Sequence, residues 1–157
     1  MSAYEEEMKN LEAKLGNQDK LIALSTVALQ PCGEGKPRPA ARLVDAVYED
    51  GSFYITTYAT ANKMLEIEQN PNVAVCIIVE SFTADGVAEN LGWVRDEKNA
   101  KIMVKVREIF KEWYTKANND ADPNTCLLRV RLIKGLWNNP HEGTRTEIDF
   151  INKTVQS

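Results

Sequence analysis

The chain is poor in the side chains that most often carry chemistry near neutral pH. Its 157 residues include one histidine, His141, and three cysteines, Cys32, Cys76 and Cys126, far apart and without CxxC or Cys/His spacing. A patterned zinc site and a disulfide framework are thereby excluded, and reduced thiols in a cytoplasmic protein are the simplest expectation. Cys76, in an apolar run, reads as a small core residue. No Ser/His/Asp arrangement and no motif of paired carboxylates is present, and His141 sits between proline and glycine as a solvated loop residue would. No catalytic residue is therefore named.

Positive charge is also scarce. Nineteen Lys and Arg against 23 Asp and Glu give a net charge of -4 and a pI near 5.1. Nucleic-acid and anionic-membrane binders draw affinity from clustered cations, so neither partner is expected and any anion site must be local. No apolar run approaches the roughly 20 residues that span a bilayer. Met1 to Gly16 is acidic and amphipathic rather than basic and then apolar, so no secretory signal is expected.

What the chain does have is a sequence of short apolar runs separated by turn signals, at a length that suits one domain. Tyr4, Met8, Leu11 and Leu15 recur at helical spacing ahead of Gly16 and Asn17. Leu21 to Leu29 reads as a strand and Pro31 to Pro37 as a turn. Arg42 to Tyr48 and Ser52 to Thr57 flank Asp50-Gly51, a hairpin signal. Ala61 to Gln69 reads as a short helix stopped by Asn70 and Pro71, Val73 to Val79 as a buried strand, and Gly86 to Val94 as a further strand. Asp96 to Lys116 carries the apolar stripe of one longer helix, Leu127 to Leu136 alternates as a strand, and Ile148 to Ile151 closes the chain. Strands with single helices inserted point to a mainly β fold, an antiparallel barrel with peripheral helices. Such a barrel has little interior room, so a ligand would lie outside it or against a second subunit.

The most informative stretch is Ser52 to Asn72, read with Arg42. A strand ending in Thr56-Thr57 passes through Tyr58, Ala59 and Thr60 into a helix, leaving hydroxyls and N-terminal amides near one spot. Thr60 is the expected N-cap. A capping box would then place Glu or Gln three residues later, and the chain has Lys63 there. A cation in a first turn opposes the helix dipole, whereas a bound phosphate would make it favourable. The hairpin brings Arg42 toward the same end. A solvated lysine beside an ordinary Thr pair is the plainer alternative.

Gly35-Lys36-Pro37, Arg42-Leu43-Val44, Asp50-Gly51-Ser52-Phe53-Tyr54-Ile55-Thr56-Thr57, Asn62-Lys63 and Asn70-Pro71-Asn72-Val73-Ala74-Val75 together resemble the FMN-binding split-barrel superfamily of pyridoxamine 5′-phosphate oxidase-like proteins, in its general-stress-protein branch. The likeness spans Gly35 to Val75, with element order and Gly86-Val87-Ala88-Glu89 extending it more weakly. It implies a split β-barrel homodimer with FMN at the subunit interface. It implies Arg42 and Lys63 as phosphate ligands, Thr57 and Thr56 as donors, Asn62 beside them, and Leu43 and Val44 along the isoalloxazine. Trp137, with Ser81 and Phe82, would complete the site from the partner chain, or Trp137 would simply pack on the core. Arg38 is the alternative to Arg42, which fits the hairpin better. True pyridoxamine-phosphate oxidases present further cations to the substrate phosphate; after Arg42 this chain runs Leu43, Val44, Asp45, Ala46, Val47, so vitamin B6 oxidation is not expected. The resemblance implies an FMN-dependent oxidoreductase acting on a small molecule or taking electrons from a nicotinamide donor, or else a non-enzymatic flavin or stress-related module. A deazaflavin or haem protein on the same scaffold is a third class, and haem would need an axial ligand.

Overall fold

The structure is a computed structural model describing residues 1–29 and 35–157. Most of the Pro31 to Pro37 turn, and Cys32 within it, lie outside the described residues. The elements are α1 (Ala3–Leu15), β1 (Lys20–Val27), β2 (Pro39–Glu49), β3 (Ser52–Tyr58), α2 (Asn62–Gln69), β4 (Asn72–Ile77), β5 (Phe82–Trp93), a 3-10 turn (Glu97–Asn99), α3 (Ala100–Ile109), α4 (Tyr114–Ala117), β6 (Thr125–Asn139), β7 (Thr144–Asp149) and β8 (Thr154–Gln156). Neighbouring strands run antiparallel in the order β3-β2-β1-β4-β5-β6-β7-β8, and β3 also pairs with β6. That last pairing closes β1 to β6 into a barrel, with β7 and β8 as a flap on β6.

The turn between β2 and β3 forms as its sequence requires: Asp50 at φ 45° and Gly51 at φ 77° give the left-handed pair of a tight hairpin. The two strands then part almost at once. They pair only from Glu49↔Ser52 to Val47↔Tyr54, after which β3 continues along β6 and β2 along β1. Among the described residues, no strand pairs the second edge of β2 from Pro39 to Ala46. This is the split in the barrel, and it leaves main-chain donors and acceptors open along that edge.

Alternation along the strands sends Ile22, Leu24, Ala46, Tyr48, Phe53, Ile55, Val75, Ile77, Leu128 and Val130 inward to one core. Two helices cover the ends. α1, capped reciprocally by Ser2 and Glu5, lays Leu11 and Leu15 on the end formed by Tyr48 and β8. α2 lays Met64, Glu66 and Ile67 over the other end, against β1 and β5. A second core, with Val47, Met103, Val106, Phe110 and Leu127, seats α3 on the outer wall.

Several boundaries differ from the sequence reading. The Asp96 to Lys116 helix is three pieces, because Trp113 leaves the helical path to stack on Phe110 at 4.6 Å and to donate its indole N–H to Asp19 at 2.8 Å. β5 starts at Phe82 rather than Gly86; Ala84, Asp85 and Gly86 have poor β propensity but alternate correctly, and a bulge falls between Asp85 and Gly86. β4 ends at Ile77, and Ile78 and Val79 stand exposed in the following turn. Cys76 is half-buried on the outer face rather than in the core, beside Ser25, Thr83 and Asp85 around an open cavity of about 530 Å³. The strand expected over Ile148 to Ile151 is β7, which begins earlier and ends at Asp149, and it is not the last: β8 follows it. Among the described residues no helix is long and apolar enough to cross a membrane.

Candidate functional site

β2 places Arg42 on the barrel's inward face, two residues beyond Val44, directly opposite Leu24 of β1. There the barrel opens toward α2, so the guanidinium reaches the mouth rather than the core. Its Nη1 donates to the Leu24 carbonyl at 3.2 Å and to Thr26 Oγ1 at 2.7 Å, and its Nη2 donates to Glu66 Oε1 at 2.6 Å. Arginine carries five N–H donors, so among the described residues these bonds leave the Nε–H and one Nη2–H free. The ion pair is partly buried, with the Arg42 side chain 23% and the Glu66 side chain 7% exposed.

Lys63 comes to the same mouth from the first turn of α2. Its ammonium donates to Thr57 Oγ1 at 3.1 Å, and among the described residues it has no carboxylate partner. Burial, and next the neighbouring Arg42 charge, pull its pKa below the ordinary lysine value. Two cations from separate elements thus share one half-buried spot. The nearby Cys126, opposite Thr57 on β6, is inert: burial raises its thiol to about 11 against a smaller opposing pull from Lys63.

The start of α2 differs in detail from the sequence reading. The N-cap is Ala61, without a side-chain cap, and Thr60 instead accepts from Asn124 Nδ2 at 3.0 Å. The Tyr58 to Ala61 turn is held from the other side, by Ala59 N–H to the Asn124 carbonyl and by the Tyr58 hydroxyl to the Ala117 carbonyl. The first-turn amides near Lys63 are therefore not consumed by a capping side chain.

Among the other expected site residues, some join this mouth and some do not. Thr57 does; Thr56 points to the opposite face of β3, its buried hydroxyl without a partner among the described residues. Val44 packs inward below Arg42, whereas Leu43 faces outward and is 66% exposed. Asn62 is exposed at the head of α2, and Arg38 is exposed just before β2. Arg42, not Arg38, is the arginine beside Lys63. Trp137 lies near the far end of β6, about eleven residues past Cys126, or roughly 35 Å along a strand. There it packs on Phe82 at 4.6 Å and beneath the Lys14 ammonium at 4.5 Å, near α1. Its buried indole N–H has no partner among the described residues. Ser81 and His141 belong to that same remote end, around the Ile78–Ser81 turn and the β6–β7 loop. Within one chain these residues are apart from the cradle.

Two residues of the cradle were missed from sequence. Thr26 was legible in principle, since it shares the inward face of β1 with Ile22 and Leu24. Glu66 had a weaker signal, its i,i+3 relation to Lys63 in a helix whose neighbours Met64 and Ile67 face inward.

A barrel split along β2, with an arginine and a lysine meeting at the opening, defines a split-barrel protein with a local pair of cations at its mouth. The family model for pyridoxamine 5′-phosphate oxidase matches residues 7–136, and the chain belongs to that family. No curated protein matches it by sequence. Solved structures share the fold at low identity. A pyridoxamine 5′-phosphate oxidase-related, FMN-binding protein from Nostoc punctiforme is 15% identical at a TM-score of 0.60, covering 99% of this chain and 95% of that one. General stress protein 26 from Bacillus anthracis is 22% identical at 0.56, covering 82% and 91%. HutZ, a haem storage protein from Vibrio cholerae, is 18% identical at 0.57, covering 83% and 91%.

Proposed function

We propose that this protein binds FMN, with the phosphate between Arg42 and Lys63 and the ring along the open edge of β2, and that it works as an FMN-dependent oxidoreductase. The observation that carries the reading is the convergence of Arg42 and Lys63 with Thr57 at the barrel mouth. Bringing two cations together in a half-buried site costs free energy, and an anion between them returns it. The donors fit a phosphate: among the described residues Arg42 keeps two N–H groups and the Lys63 ammonium two, and no side chain caps the start of α2. The open β2 edge near Arg42, Leu43 and Val44 supplies main-chain N–H and C=O groups that suit the polar rim of an isoalloxazine. FMN when bound supplies hydride and electron transfer, for a small substrate or a reduced nicotinamide donor. This chain's residues hold and orient it.

A homodimer belongs to the same proposal. The outer face of β2, β1 and β4 carries Leu43 and Leu21, 66% and 58% exposed, among Ala23, Ala41 and Ala74. An apolar, small-residue sheet face of this kind suits a second copy. The same proposal gives Trp137 its role from the partner chain, since within one chain it lies apart from the cradle.

Flavin titration tests the cradle. Lys63→Glu replaces an attraction with a repulsion and should weaken FMN binding on the order of 2–4 kcal/mol. Unchanged affinity would remove Lys63 from the site. Bleaching of the bound flavin by NADH or NADPH separates an oxidoreductase from a flavin module without turnover.

A further inference from the structure

The cradle contains a third charge. Glu66 is 5% exposed, sits between Met64 and Ile67 on the inward face of α2, and holds Arg42 Nη2 at 2.6 Å. Arg42, Lys63 and Glu66 together carry a net charge of about +1, whereas a phosphate monoester brings between about -1.5 and -2 at neutral pH. Because Arg42 retains its Nε–H and one Nη2–H, a phosphate can be accepted without Glu66 letting go. The carboxylate then stays on the same guanidinium that takes the phosphate.

We propose that Glu66 sets the ligand specificity of the cradle, by holding the guanidinium in place while weakening its grip on a phosphate dianion, so that FMN is bound only modestly better than riboflavin. The proposal rests on the FMN reading and extends it to how the site discriminates. Like charges a few ångströms apart in a half-buried site repel more than they would in water. Thr26 Oγ1 and the Leu24 carbonyl keep Arg42 aimed at the mouth when Glu66 is neutral, so orientation does not depend on the carboxylate alone. A neutral side chain of the same shape removes the repulsion and leaves an acceptor for Nη2.

The experiment is a paired titration of FMN and riboflavin against the wild type, Glu66→Gln and Glu66→Met, the last a helix-compatible side chain of similar length should the amide fail to fold. The expected result is FMN binding at least tenfold tighter in a variant, with riboflavin changed less than twofold. Riboflavin serves as the readout that a merely structural role of Glu66 would move equally. Unchanged or weaker FMN binding in the variants, with the wild type still binding FMN, overturns the proposal and leaves the FMN reading standing. Failure of FMN to bind to any of the three overturns both.

Discussion

Lys63 shows how a single residue is kept at a cost to the fold. An ammonium in the first turn of a helix, half-buried and next to an arginine, opposes the helix dipole and loses hydration. Its lowered pKa has a definite sign: the penalty is fully present below the folded-state value and is relieved as pH rises toward the ordinary lysine range. Lys63→Met is therefore expected to raise the stability of the ligand-free protein at pH 7 by about 0.3–1 kcal/mol while weakening FMN binding. Chemical denaturation alongside flavin titration checks both halves. Asp45 behaves in the reverse manner. Burial, then the hydrogen bond that its protonated form donates to Asp19, and then the Asp19 charge, raise its carboxyl to about 6. The stabilisation this brings is complete below the unfolded value near 4 and disappears as pH rises through 6. Asp45→Asn should thus stabilise the fold at pH 8, by less than about 1 kcal/mol because the pair is largely solvated, and should give little at pH 4. Melting temperatures across that range test it. Thr57 and Lys63 were legible together because a strand exit and a helix start are local signals; Arg42 joins them through its contact with α2 and not through hairpin register, since β2 and β3 pair only from Glu49↔Ser52 to Val47↔Tyr54. Thr56 was misplaced because adjacent strand residues face opposite ways, and Glu66 was missed because its role appears only once α2 is seated on β1.

Among the elements, β2 and β5 decide the site's shape. β2 pairs with β1 along its length and with β3 for only three residues, so its free edge is a consequence of topology and not of its own sequence. The hairpin was legible in Asp50-Gly51; the parting of its strands was not, because it depends on β3 finding β6 across the barrel. Gly86, at the bulge after Asp85 on β5, is held to glycine by close packing. A Cβ on Gly86 would meet Val130 Cγ1 at 2.8 Å and the Arg131 carbonyl at 3.0 Å. Gly86→Ala should destabilise the protein by about 1–3 kcal/mol, since one of the two obstacles is backbone and cannot rotate away; a melting temperature equal to the wild type's would show that β6 yields there. The broken helix after Asp96 was hidden for a related reason: its apolar stripe is continuous, and the break comes from the reach of Trp113 to Asp19, distant in sequence.

At the scale of the molecule, the barrel class followed from the order of short strands and single helices, while β8 and the flap it forms with β7 did not, being three residues with little pattern. The exposed Leu43 and Leu21 bear on assembly. Leu43→Glu places a charge in the outer apolar face without entering the core, so it is expected to convert a dimer to a monomer in light scattering with the circular dichroism spectrum unchanged. A wild-type chain that is already monomeric would contradict the shared-interface arrangement.

The most direct measurement is a crystal structure grown with FMN. The account predicts phosphate oxygens within about 3 Å of both the Arg42 guanidinium and the Lys63 ammonium, with the ring along β2 between Pro39 and Ala46. A flavin bound elsewhere, with Arg42 and Lys63 unchanged and no anion between them, would contradict it.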